Sequence, residues 1–249
     1  MTRGARILLL ALAVAVAAGC ASVPNPDPRD PLEGFNRSVY RFNDAFDKAI
    51  AKPVATAYKE TLPNPVRNGV RNFFSNIADL FIGANNLLQG KPGDALTDWM
   101  RFAVNTTFGV LGIADWASDM DLEKHNEDFG QTFGRWGAGS GPYLVLPFLG
   151  PSTARDSVGT VLDWHFDPVG NHDPVDQRNA AILLRTTGQR ADLLDASSLL
   201  DQAALDPYLF MRDAYLQRRR SLIYDGRPPR EPLSRLGSPA GESTYAAQR

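Results

Sequence analysis

The apolar positions of this chain recur at helical spacing. Phe35, Val39, Phe42, Phe46 and Ile50 stand four, three, four and four residues apart, so a helix after Asp30 has one apolar, aromatic face. Asp30-Pro31-Leu32-Glu33 predicts its start: Asp30 as N-cap, Pro31 in the first turn, Glu33 completing a capping box. Pro53 predicts the opening of a second helix through Tyr58, and Asn64-Pro65 the opening of a third. The third carries the band Phe73, Phe74, Ile77, Leu80, Phe81, Leu87 and Leu88 and ends at Gly90 with Pro92 beyond, a C-cap pattern. Further helices are expected over residues 93–107, with Leu96, Trp99, Met100 and Ala103 on one side, and over 110–117, 152–165, 175–194 and 206–224. No stretch alternates cleanly with period two. The expected class is all-α, and residues 30–225 suffice for a single well-buried domain.

The pattern changes between Phe129 and Pro151, where six glycines recur among Phe133, Trp136, Tyr143 and Phe148. That mixture predicts close backbone approach rather than an ordinary helix. Within it, residues 143–149 (Tyr-Leu-Val-Leu-Pro-Phe-Leu) read as a buried strand or a loop exposed to lipid, and composition favours burial.

The two ends lack such patterns. Arg3 and Arg6 precede an apolar run from Ile7 to Ala18, about a dozen residues where a membrane span needs roughly 20, so residues 1–19 read as a secretory signal peptide. Ala17-Ala18-Gly19-Cys20 resembles a lipobox, with Cys20, the one cysteine of the chain, as the lipidated residue. Two or three acyl chains there would anchor stably, residues 20–29 would form a lipidated tether, and Ala21 after the cysteine resembles an outer-membrane sorting signal. Residues 226–249, rich in Pro, Arg, Ser and Gly, read as a disordered tail.

Charge and candidate chemistry narrow the function. A net charge of −2 gives no sign of nucleic acid. His125, His165 and His172 show no metal-ligand spacing, and Asp115, Asp119 and Asp121 lack the Gly and Glu of a calcium loop. Gly137-Ala138-Gly139-Ser140-Gly141 is followed by Pro142 and follows no strand, so it is no phosphate cradle, and no nucleophile elbow surrounds Ser140. No metal, cofactor or catalytic residue is expected. Arg218-Arg219-Arg220 suits the negative end of the last helix and reads as a solvated face, with anionic head groups as the alternative.

Asp30 to Arg37 (DPLEGFNR), Phe73-Phe74-Ser75-Asn76, Leu88-Gln89-Gly90, Arg101-Phe102, Asn105-Thr106-Thr107, Glu127 to Thr132 (EDFGQT), Gly141-Pro142-Tyr143, Leu146-Pro147, Gly150-Pro151 and Arg155-Asp156 occur in an order that resembles the MlaA family, also called VacJ lipoproteins. The resemblance implies a ring of amphipathic helices in the inner leaflet of the outer membrane, enclosing an amphipathic channel. It further implies removal of phospholipid mislocalised to the outer leaflet, delivery to a periplasmic lipid carrier, and trimeric porins as scaffolds. On that picture Gly137, Gly139, Gly141, Tyr143, Leu146 and Phe148 are candidates for the channel wall and a mobile element at its mouth. Arg155, Asp156, Asp163 and Arg178 are candidate head-group contacts, with surface ion pairs as the alternative. Phe35, Phe42, Asn43 and Phe46 are candidates for a gating helix. The competing readings are a porin-binding scaffold that moves no lipid and a lipid hydrolase, which co-purified phospholipid and released fatty acid would separate.

Overall fold

A computed structural model describes residues 27–230; Cys20, the signal peptide, most of the tether and the tail from residue 231 lie outside the described residues. Helix α1 (Glu33–Phe46) begins two residues later than the capping box predicts. Asp30 does not cap it. Its buried carboxylate instead accepts hydrogen bonds from Asn36 Nδ2 at 2.8 Å and the Tyr208 hydroxyl at 2.5 Å, while Glu33 bonds Arg37 one turn on. Pro53 does not open a separate helix either. A π-helical turn, Asp47–Ala51, carries α1 directly into α2 (Lys52–Thr61). The wider turn sits where the missing Pro53 N–H and the bulk of its ring would otherwise break the ladder.

Helix α3 (Asn64–Leu88) ends as its sequence indicates: Lys91 N bonds Asn86 O at 2.9 Å and Gly90 N bonds Leu87 O at 3.0 Å, with Gly90 left-handed. Helix α4 (Pro92–Thr107) returns along α3. The helix expected over 110–117 is not formed. Val110, Leu111 and Gly112 take positive φ in a tight knuckle, and only α5 (Trp116–Asp119) is helical, capped by Asp115. Helix α6 (Phe129–Arg135) is capped by Asp128, α7 (Ala154–Phe166) by Thr153 and α10 (Pro207–Ile223) by Asp206; α8 (Val175–Asp192) and α9 (Leu194–Ala203) complete the helices.

Between α6 and α7 the expected all-helical plan is broken again, by an antiparallel hairpin of β1 (Tyr143–Leu146) and β2 (Gly150–Thr153), registered Tyr143 to Thr153 and Val145 to Pro151. The segment thus takes both of its sequence readings: Tyr143 and Val145 are buried in the strand, while Phe148 and Leu149 stand exposed in the turn. Packing runs from α1 through α2, α8, α3, α6, α10 and the hairpin back to α1.

The interior is polar. Along α3, Asn72, Asn76, Asp79, Gly83 and Asn86 repeat at four and three residues, and along α4 so do Asp94, Asp98, Arg101 and Asn105. The two stripes meet: Asn86 Nδ2 donates to Asp98 Oδ2 at 2.8 Å, Asn76 Nδ2 to Thr106 Oγ1 at 2.9 Å, and Arg101 reaches Asp115 at 3.0 Å and lies 3.7 Å from Asp79. The apolar stripes of the same helices, with Leu80, Leu87, Leu88, Leu96 and Met100, face outward and are exposed. Buried apolar clusters are small, one around Ala55, Ala191 and Leu194 and one around Tyr143, Val145 and Tyr208. In water each exposed Leu or Phe forgoes about 1.5–3 kcal/mol of burial, so a shell of this kind is stable where hydrocarbon is the solvent. Among the described residues no helix is long and apolar enough to cross a membrane.

Candidate functional site

Two asparagines of α1, seven residues apart and so on one face of the helix, hold the hairpin. Asn36 accepts from Val145 N at 2.9 Å and donates to Tyr143 O at 3.0 Å; Asn43 accepts from Phe148 N at 2.8 Å and donates to Leu146 O at 2.9 Å. A side-chain amide offers a carbonyl and an NH2 group, so with one N–H and the carbonyl it can pair as a peptide does, and α1 closes the free edge of β1 without being a strand. The turn beyond carries Phe148 at a φ of 63°, its ring edge-on to Phe42 at 5.2 Å and to Phe46 at 5.0 Å. Phe148 and Phe42 remain 64% and 49% exposed, so the apolar face of α1 is only half covered. The residues that the sequence nominates for a gate (Phe42, Asn43, Phe46) and two of those it nominates for a wall (Leu146, Phe148) therefore form one unit. Phe35, a further gate candidate, is half-buried on the same helix.

Behind the hairpin lies a cavity of about 230 Å³ with one apolar and one polar side. Leu146, Leu149 and Pro151 of the hairpin supply the first; Asp128, Asp156, Thr160, Tyr215 and Arg219 supply the second. Arg219 bridges the two carboxylates, 2.5 Å from Asp128 and 2.9 Å from Asp156. Asp156 also accepts from the Tyr215 hydroxyl at 2.8 Å and from Arg155 Nη2 at 2.8 Å. Burial opposes the charge on both aspartates, but the Arg219 guanidinium outweighs it and holds both below the ordinary carboxylate range. Arg219 is thus an interior residue, not part of a solvated basic face. Helices α6 and α7 cross here backbone to backbone: a Cβ on Gly159 would stand 2.4 Å from the Gly130 nitrogen.

Asp163, one turn along α7, accepts the Phe129 N–H at 3.2 Å, and burial pushes its pKa up to about 6, with Asp128 adding repulsion. The raised pKa means that the native state holds this proton more tightly than the unfolded chain. Stability therefore falls as pH rises from about 4 to about 6. Asp163→Asn keeps the acceptor and removes the charge. It is expected to stabilise the protein at pH 7 by about 1–2 kcal/mol, discounted for partial solvent access, and by nothing below pH 4. Thermal unfolding at both pH values checks this; an equal gain at each would refute a charge origin.

The remaining candidates sit elsewhere. Tyr143 is fully buried against Tyr208 and Tyr215. Gly137, Gly139 and Gly141 occupy an exposed turn between α6 and β1, and Arg178 lies in the first turn of α8; none of these four lines the cavity. The sequence nominates none of Asn36, Asp128 and Tyr215 for the site, and it points to Arg219 only within the Arg218–Arg220 run. A signal for Tyr215 and Arg219 was present: Tyr208, Arg212, Tyr215 and Arg219 repeat at four, three and four, the same polar stripe that α3 and α4 carry. Of the histidines, His125 is paired with Asp98 at 3.1 Å, and among the described residues no group of three or more His, Cys, Asp or Glu is placed to hold a metal ion.

A helical body that buries amides, carboxylates and guanidiniums and turns aliphatic and aromatic side chains outward has the side-chain partition of a protein that works in contact with lipid. A family model described as MlaA lipoprotein matches residues 28–222, and the chain belongs to that family. It is 37% identical over 227 residues, 89% of this chain and 90% of the relative, to the intermembrane phospholipid transport system lipoprotein MlaA of Escherichia coli K12. The protein of the same description from Haemophilus influenzae is 32% identical over 237 residues, covering 89% and 91%. A solved structure described under the structural basis for maintenance of bacterial outer membrane lipid asymmetry matches with a TM-score of 0.69 at 35% identity, covering 78% of this chain and 98% of that one.

Proposed function

We propose that this protein is an outer-membrane lipoprotein that takes phospholipid mislocalised to the outer leaflet through an amphipathic channel and hands it to a periplasmic carrier, preserving lipid asymmetry. The observation that carries the reading is the inverted partition of side chains. An apolar shell lets the body rest in the acyl region of one leaflet, and a polar interior gives a charged head group a route past a layer where an unpaired polar group costs several kcal/mol. Helices closing on themselves around that interior would form a ring needing no ATP of its own. The half-apolar cavity behind the hairpin has the two-sided character such a route requires. The hairpin, held by Asn43 and the Phe42–Phe46–Phe148 cluster, is then the movable wall. Trimeric porin as scaffold and a soluble lipid carrier as acceptor complete the proposal, as in the family resemblance, and the relatives are named for transport rather than for any catalysis. Deletion of the gene should raise phospholipid in the outer leaflet, and the wild-type gene should restore it; a deletion strain with normal asymmetry would leave only a scaffold.

Anchoring is proposed at Cys20, with residues 1–19 removed. Cys20→Ala should leave unprocessed precursor in the inner membrane, read by fractionation and a shift in mass. Mature, outer-membrane protein from that variant would rule the anchor out.

A further inference from the structure

A second cavity, of about 680 Å³, lies away from the hairpin, between α3 and α8. Its wall is Val70, Phe73 and Phe74 on α3, Ala181 and Leu184 on α8, and Ile113 from the knuckle after α4, and no ionisable side chain lines it. Gly69 lets the knuckle close onto α3: a Cβ there would stand 3.0 Å from Ile113 Cγ2.

The knuckle indicates what surrounds this cleft. Phe108, Val110 and Leu111 are 69%, 68% and 64% exposed, the last two presented on left-handed backbone that non-glycine residues seldom adopt. Yet four successive N–H groups of the loop, and the Ile113 carbonyl, are bonded inward. Leu111 N reaches Thr106 O, Gly112 N reaches Asn105 O, Ile113 N reaches Val110 O and Ala114 N reaches Gly109 O, while Asn72 Nδ2 donates to Ile113 O. An irregular loop in water has no need to satisfy successive N–H groups internally while displaying apolar side chains; a loop in hydrocarbon does. The cleft therefore opens beside a lipid-facing element. Its size falls within the range of small-molecule sites, and its lining offers nothing to a head group.

We propose that the cleft between α3 and α8 is an acyl-chain site, which receives one fatty chain of a phospholipid laterally past the knuckle while the head group stays with the polar interior. The inference rests on the phospholipid reading above and adds to it a separate place for the tail. Splitting the two ends of one molecule between an apolar cleft and a polar interior means that neither end is desolvated without partners.

The test uses full-length, acylated protein in detergent and a phosphatidylethanolamine with a diazirine at the end of one acyl chain. Irradiation should label tryptic peptides 68–71, 72–101, 102–124 and 179–185, which hold Val70, Phe73 and Phe74, Ile113, and Ala181 and Leu184. Ala181→Leu, which fills the cleft, should reduce that labelling about tenfold, equivalent to about 1.4 kcal/mol of lost contact. Val66→Trp, placed at the exposed mouth so that folding is spared, should do the same at an unchanged Tm. Label concentrated in other peptides, or undiminished in both variants, overturns the site while leaving phospholipid transport standing. So does a native-mass dimer that Ala181→Leu dissociates, since a protein partner would then fill the cleft. Complete absence of label overturns the site as well, and the leaflet assay of the deletion strain decides separately whether the transport reading falls with it.

Discussion

Replacing Arg219 with alanine is expected to lower the stability of the folded protein by about 3–5 kcal/mol, the usual cost of removing one partner from a buried ion cluster. The guanidinium is the shared partner of Asp128 and Asp156, its side chain is only 12% exposed, and no other cation touches both carboxylates among the bonds described. Without it, Asp128 and Asp156 stand ionised between α6, α7 and α10, with Arg155 covering only one of them. At roughly 2–4 °C per kcal/mol for a domain of this size, Tm should fall by about 10 °C. The pH dependence identifies the cause. In the wild type both aspartates are depressed, so their contribution is present above their unfolded pKa near 4 and is lost as pH falls through the lower native values. In the variant the deficit should be largest at neutral pH and shrink toward pH 4, where the stranded carboxylates take up protons. Arg219→Lys should recover only part of the loss, because an ammonium cannot fork between two carboxylates. Circular dichroism melts in detergent from pH 4 to pH 8 measure this; a deficit independent of pH would mean that Arg219 acts by packing alone.

Asn36→Leu should cost about 3 kcal/mol, and Asn43→Ala much less, although both residues make the same kind of bond to β1. Asn36 is fully buried, and its loss strands the Val145 N–H, the Tyr143 carbonyl and one oxygen of Asp30 in a site closed off from the surface. Each orphaned buried group costs about 1–3 kcal/mol. Asn43 holds the exposed turn, where water can replace the amide at Phe148 N, so about 1 kcal/mol is expected. What Asn43→Ala should change is motion: the amides of residues 146–149 should exchange several times faster, with little change in Tm. Hydrogen exchange followed by mass spectrometry reads both variants. Equal loss of stability in the two would mean that the hairpin is held uniformly, which would remove the basis for treating its turn as a movable wall.

Several parts of this architecture were legible in the chain. The spacing of Phe35, Val39, Phe42 and Phe46 marked α1, Asn64-Pro65 and Gly90 bounded α3, and the glycines among aromatics after Phe129 marked a place of close backbone contact, realised where Gly130 meets Gly159. The site was legible only in pieces. Asn43, Leu146, Phe148 and Asp156 were nominated from different stretches, but what joins them, an asparagine amide standing in for a neighbouring strand, leaves no local pattern.

The chain by itself determined the helices, because period and capping act over a few residues and need no partner. It also wrote two stripes on each of α3 and α4, one apolar and one of Asn, Asp and Arg, with nearly the same period. Periodicity is blind to which stripe faces inward, since both repeat every turn. In water the hydrophobic effect would choose the apolar one; here the tertiary structure chose the polar one. The reason is long-range pairing: Arg219 finds Asp128 and Asp156 at separations of 91 and 63 residues, and Asn36 finds Val145 at 109. Such partners exist only once the helices have closed on one another, and they let the polar stripes be buried largely paired, with Asn76 Oδ1, Asn86 Oδ1 and Arg101 Nε as exceptions, while the apolar ones face outward.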